Sequence, residues 1–146
     1  MEVEIKIDGS YPEPKIVILT ASVTEEVSRL VQRLSEKNPG IISGRRGEKI
    51  EVIGQEELIR VYASDGKVFA VTEKGEYAVR LRLYEMEERL KSDFFARISS
   101  SEIVNLKKVK NFDLSFTGTI CVEFADGTVT YVSRRYVSKI KKILGI

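Results

Sequence analysis

Two runs in the C-terminal half of the chain place hydroxyls and guanidinium groups where they could grip an anion: Ser99-Ser100-Ser101-Glu102 and Ser133-Arg134-Arg135-Tyr136. Arginine presents a rigid fork that matches phosphate oxygens or the acceptor edge of guanine, and serine hydroxyls and helix-start amides bind phosphate. The chemistry of such residues is therefore recognition of a polyanion. Catalysis has little to work with. Histidine is absent and Cys121 is the sole cysteine, so the usual general base and the common metal ligands are missing. There is no CxxC, nucleophile elbow or dinucleotide-binding glycine turn, and Gly40 to Gly47 lacks the spacing of a phosphate loop. The expectation is a protein that is not an enzyme and uses no cofactor, metal or small-molecule substrate.

Charge is distributed to suit that chemistry. Residues 97–146 carry nine basic and four acidic side chains, a surplus of +5, whereas the whole chain carries only +2. A surplus of this size fits a phosphate-binding face, but it fits a merely solubilising surface too, so charge alone is a weak argument for DNA. The 146 residues, 42% hydrophobic and 32% charged, suffice for one packed domain with a short appendage. Cys121 lies between Ile120 and Val122 in a strand-like run and reads as a core residue, and a lone thiol fits a reducing compartment. Met1-Glu2-Val3-Glu4 lacks the basic start of a signal peptide, and no apolar run nears the roughly 20 residues of a membrane span. A cytoplasmic location is expected.

The elements that would position the arginines and serines are short. Glu2 to Ile7 and Lys15 to Thr20 alternate as paired strands, and Ser22-Val23-Thr24-Glu25 reads as a capping box. The helix that follows runs to about Lys37 along Val27, Leu30, Val31 and Leu34, and Asn38-Pro39-Gly40 stops it. This β-β-α segment, residues 1–43, is too small for a core of its own and is expected to pack on the remainder or on a second copy. Ile41 to Gly47 reads as a flexible basic boundary, and 44–146 as the second domain. Within it, Glu48 to Ile53, Leu58 to Ala63, Val68 to Val71 and Tyr77 to Leu81 read as strands, with a tight hairpin at Asp65-Gly66. Leu83, Met86 and Leu90 mark a short helix, Ser99 to Glu102 a capping box for a brief helix through Val104, and Phe112 to Phe116 and Ile120 to Phe124 two more strands. After a turn at Asp126-Gly127, Ser133 caps a last helix with Val137, Ile140 and Leu144 inward and Lys139, Lys141 and Lys142 outward. The fold class is mainly β, antiparallel, with small helices.

Three features together resemble the LytTR family, the DNA-binding output domain of bacterial regulators of the LytR, AlgR and AgrA kind. They are Phe95 to Leu106, matching the run F-x-R-x-x-x-S-x-[IV]-V-N, the Asp126-Gly127 hairpin after Ile120 to Phe124, and Val132-Ser133-Arg134-Arg135-Tyr136. The resemblance implies an elongated antiparallel β fold whose loops enter successive major grooves. It places Arg135 at the base-reading position and Arg134 and Ser133 beside it. Ser99 and Ser100 fall where the family often has His and Asn or Arg, which implies shorter, less selective contacts. Lys67 lies in the hairpin that corresponds to a further contact loop. The resemblance also implies double-stranded DNA as partner, paired direct repeats in promoters and a homodimer at least on DNA. No receiver domain precedes the resemblance region, so aspartate phosphorylation is not the expected switch. Stand-alone members are often paired with a membrane-protein inhibitor, which makes one a partner to look for. The contrasting expectation is an interaction module whose basic face docks an acidic protein without sequence-specific DNA binding. Asn105 is expected to be structural, bonding backbone.

Overall fold

A computed structural model of the chain describes residues 1–35, 41–90 and 93–146. It divides into two compact units, Met1–Lys37 and Asn38–Ile146. In the first, helix α1 (Glu25–Ser35) forms where the apolar spacing predicts it. Its first turn is held by the Thr24 hydroxyl, which accepts the Val27 N–H at 3.3 Å, so the cap is Thr24 and not Ser22. The two strands expected before it do not form. Residues 1–24 contain no ladder, and Val3, Ile5 and Ile7 are 82%, 84% and 98% exposed. A two-stranded ribbon alone is marginal in water, and Pro12 and Pro14 remove donors from the connection. The expected end of the helix and its stop at Asn38-Pro39-Gly40 lie outside the described residues.

Among its described residues the second unit holds ten strands and two α-helices: β1 (Ile42–Arg46), β2 (Lys49–Ile53), β3 (Leu58–Ser64), β4 (Lys67–Thr72), β5 (Gly75–Val79), α2 (Leu83–Arg89), β6 (Phe95–Ser99), β7 (Glu102–Asn105), β8 (Val109–Asp113), β9 (Ile120–Phe124), β10 (Val129–Val132) and α3 (Arg134–Leu144). The first seven strands make one antiparallel sheet in the order β2-β1-β5-β4-β3-β7-β6, and the last three make a second in the order β10-β9-β8. The architecture is mainly β, as its strand-length alternation predicts.

Two apolar clusters hold it together. One joins Ile42, Leu58, Val61, Ala70, Tyr77 and Ile103 with Leu83 and Met86 of α2. The other joins Ile59, Ile98 and Val104 with Ile120, Val122, Phe124, Val132 and Ile140. Strands β3, β6 and β7 feed both, with neighbouring residues such as Leu58 and Ile59, or Ile103 and Val104, going to different clusters. All four residues of β7 are buried. These strands form the middle of the second unit, and each such buried side chain contributes about 1.5–3 kcal/mol of transfer free energy.

Two expectations are corrected here. The stretch Ile41 to Gly47 is not a linker: Ile42 is fully buried in β1, which pairs with β2 and β5. Gly44 is there for close approach, since a Cβ would stand 2.5 Å from the Tyr77 Cβ. Nor does Ser99 to Val104 form a helix. It is a hairpin, with Arg97 opposite Ile103 and Ser99 opposite Glu102. Burial on both faces of β7 outweighs the local capping pattern. The Asp65-Gly66 hairpin forms as expected, with φ of 52° and 74°, and so does the Gly127 turn, where the Thr128 hydroxyl and N–H hold the Asp126 carboxyl below its ordinary range. Cys121 is buried in β9, in keeping with a core role.

Candidate nucleic-acid interface

The hairpin geometry decides where the candidate side chains gather. Because β3 runs antiparallel to both β4 and β7, the β3–β4 turn and the β6–β7 turn emerge at the same end of the larger sheet. A backbone hydrogen bond joins them, from the Ala63 N–H to the Ser101 carbonyl at 2.8 Å. A second brings in α3: the Ser133 N–H donates to the Ile98 carbonyl at 2.9 Å, at the irregularity in β6 where the pairing shifts between Arg97 and Ser99. Lys67, Ser99 and Ser100, and Ser133 to Arg135 therefore share one end of the fold. Sequence spacing alone could not place them there.

Each has a distinct setting. Arg134 and Arg135 occupy the first turn of α3 and are exposed. Among the described residues neither makes an ion pair, so their charge is available to a ligand. The Arg135 guanidinium lies 6.0 Å from the Tyr136 ring centre, at the outer limit of a cation–π contact. Arg134 lies against the turn between β8 and β9, where a Cβ on Gly118 would meet its Nε at 3.2 Å. Ser133 holds the N-cap position with extended backbone, but its hydroxyl makes no cap bond. The Tyr136 N–H donates to the Ser133 carbonyl at 2.9 Å, which leaves the Arg134 and Arg135 amides of the first turn as donors for an anion. Ser99 and Ser101 interact through their hydroxyls at 3.3 Å, and the Ser101 N–H donates to Ser99 Oγ. Ser100 is exposed at the turn, and Lys67 is exposed beyond Gly66.

Arg97, one of the residues of the F-x-R pattern, holds this turn. Its Nε donates to the Ser99 carbonyl at 2.8 Å, one terminal nitrogen to the Ser100 carbonyl at 2.7 Å, and the other to Glu87 of α2 at 2.6 Å. A lysine could not make this three-way fork. Glu102, just after the turn, is 8% exposed, and it accepts from Arg60 at 3.0 Å and from Thr130 of β10 at 2.7 Å. That link ties the larger sheet to the strand that delivers Ser133. Arg97→Ala is expected to cost about 1–3 kcal/mol through its charged hydrogen bonds. Amide hydrogen exchange of Ser100 and Ser101 should accelerate by more than that of β9; equal acceleration throughout would show that Arg97 does not hold the turn.

The three lysines after β7 are more bound up with neighbours. Lys107 lies 3.7 Å from the centre of the Phe94 ring, and Lys108 and Lys110 approach Glu73 and Glu123, each at 3.8 Å. Asn105 is 2% exposed and donates to the Leu58 carbonyl at 2.8 Å, the backbone role expected of it, though from the end of a strand rather than after a helix. No helix among the described residues is long and apolar enough to cross a membrane.

The molecule is thus a β scaffold that offers turns and one helix start at a common cationic end. The pattern of the LytTr DNA-binding domain matches residues 48–145, and the chain belongs to that family. The LytTr DNA-binding domain of a Bacillus cereus protein has the same fold, with a TM-score of 0.70 at 24% identity over 73% of this chain and 97% of that one. Two Staphylococcus aureus proteins, from strains NCTC 8325 and COL, are each 29% identical over 147 residues, covering 100% of this chain and 99% of theirs. Both are called uncharacterized HTH-type transcriptional regulators. In this chain, strands separate every pair of helices among the described residues.

Proposed function

We propose that this protein is a sequence-specific transcriptional regulator that reads promoter direct repeats with loops placed in the major groove. The observation that carries the proposal is the pair of backbone bonds, Ala63 to Ser101 and Ser133 to Ile98, that gather Lys67, Ser99, Ser100 and the start of α3. In this reading Arg135 enters the groove and contacts a base, and Arg134, Ser133, Ser100, Ser99 and Lys67 hold phosphates and set the register. The names of the full-length staphylococcal relatives support the regulatory role. The segment before β1, residues 1–35, serves as a dimerisation element in the cytoplasmic protein: Val3, Ile5, Ile7 and Leu19 are too exposed to be at rest in water.

Binding of two copies to one face of a duplex gives the reading its test. Duplexes tiling the region upstream of the gene are titrated by fluorescence anisotropy, and the preferred tile is then altered between its repeats. Inserting about half a helical turn should weaken binding strongly, and inserting a full turn of about 10–10.5 base pairs should restore most of it. Equal binding to every tile, insensitive to spacing, would favour the basic docking module instead.

A further inference from the structure

Beside the gathered turns, a cleft of about 520 Å3 opens between the β3–β4 hairpin, the connection from β5 to α2, and Arg97. We infer that this cleft is a second, sequence-blind phosphate track, in which Lys67, Arg80 and Arg82 hold the sugar-phosphate backbone flanking the base pairs read from α3. The inference rests on the DNA-binding reading and extends its footprint.

Strand register brings the cations together. Val68 pairs with Val79 and both are buried, so the next step outward sets Lys67 opposite Arg80. Leu81 then packs on the core, which leaves Arg80 and Arg82 exposed on either side of it. Arg97 also lines the cleft, but its charge is balanced by Glu87 at 2.6 Å. Lys67, Arg80 and Arg82 are not balanced in this way: among the described residues none of them makes an ion pair. Two carboxylates lie close in sequence, Asp65 at the hairpin tip and Glu85, which accepts the Arg82 backbone N–H at 3.2 Å. Three cations still crowd a concave surface floored by Val79 and Leu83. Such a surface concentrates positive potential and binds anions at the expense of its own repulsion.

Continuity selects the occupant. Lys67 belongs both to the cleft and to the hairpin beside Ser101, and Arg97 both lines the cleft and bonds the Ser99 and Ser100 carbonyls. A polyanion lying across the turns would therefore run on into the cleft, whereas a free anion would have no reason to favour the end next to α3. Unpaired flexible cations in an open cleft also suit a backbone that is held without being read.

The test compares wild type with an Arg80→Gln/Arg82→Gln variant and an Arg80→Lys/Arg82→Lys variant, on preferred and scrambled duplexes over a salt series. The glutamine pair should weaken both duplexes by the same factor and reduce the slope of log affinity against log salt by about 0.9 for each phosphate no longer neutralised. The lysine pair should keep the slope, and trimming the flank from the duplex should abolish the difference between wild type and the glutamine pair. A glutamine pair that matches wild type on a duplex the wild type prefers would overturn the cleft while the regulator reading stands. Loss of sequence preference at an unchanged slope would also overturn it, by making these residues base readers. So would amide shifts at Arg80 and Arg82 on titration with inorganic phosphate, if duplex binding is unaffected by the glutamine pair. Failure of the wild type to bind any duplex would overturn both readings.

Discussion

Arg135→Ala is expected to remove roughly 1–3 kcal/mol of binding to the preferred duplex, about five- to 150-fold, and to change binding to a scrambled duplex little. The expectation follows from where the side chain sits. It is exposed on the first turn of α3, forms no ion pair among the described residues, and approaches the Tyr136 ring only at 6.0 Å, so the free protein is little disturbed when it is truncated. The cost therefore falls on the complex. Arg135→Lys separates the two parts of that cost: a point cation retains phosphate attraction and the salt dependence but lacks the fork that satisfies two acceptors on guanine. It should bind both duplexes and discriminate poorly between them. Arg134→Ala should behave differently, weakening both duplexes alike, because the Arg134 guanidinium lies against the Gly118 turn. Anisotropy titrations of the three variants on both duplexes decide the matter. An Arg135→Ala variant that keeps the wild-type ratio of affinities would remove Arg135 from base reading and point to another side chain at the same end.

How much of this is legible in the sequence depends on whether a residue's partner lies nearby in the chain. The Asp65-Gly66 turn is a local event, two residues adopting positive φ, and it forms as expected. Helices α2 and α3 carry their own apolar stripes and also form as expected. Strand β7 reads wrongly as a helix because both of its faces are buried: Ile103 and Val104 enter different clusters, so there is no alternation to see, and the Ser-to-Glu spacing then mimics a helix start. Gly44 misleads in the opposite sense, as a glycine that reads as a hinge but serves to let Tyr77 approach. The N-terminal alternation is present, but alternation specifies a face and not a partner, and residues 1–24 form no ladder. For the site, Ser99 to Ser101 and Ser133 to Arg135 announce themselves by composition. The tie between Ser133 and Ile98 does not, since 35 residues separate them and the bond uses only backbone. Arg97 stands in the family pattern with no role visible there, because its partners are two carbonyls and a glutamate on another element. Arg80 and Arg82 carry no signal beyond their charge, which the acidic residues of the same segment cancel in any count along the chain.

Asn105→Ala is expected to lower the stability of the second unit by about 2–4 kcal/mol without altering which duplex the folded protein prefers. The side chain makes two bonds of unequal value. Its amide donates to the Leu58 carbonyl at 2.8 Å, and Leu58 is fully buried, so no water takes over when the donor is removed. Its oxygen accepts the Lys107 N–H at 3.0 Å, at an exposed residue where water can substitute. Most of the loss therefore comes from the stranded carbonyl, with a smaller part from the space vacated at a position 2% exposed. Asn105→Asp sharpens the test, since it keeps an acceptor for Lys107 but turns a carboxylate oxygen toward the Leu58 carbonyl, and it should be at least as damaging as alanine. Urea unfolding supplies the stability, and anisotropy at low temperature, where the folded fraction remains high, supplies the preference. Because β3 and β7 lie between the two apolar clusters, loosening their pairing should unfold the unit as a whole and not merely fray an edge. Wild-type stability combined with an absent duplex preference would give the opposite assignment: Asn105 would then be a contact residue, and its burial in the free protein would have to open on binding.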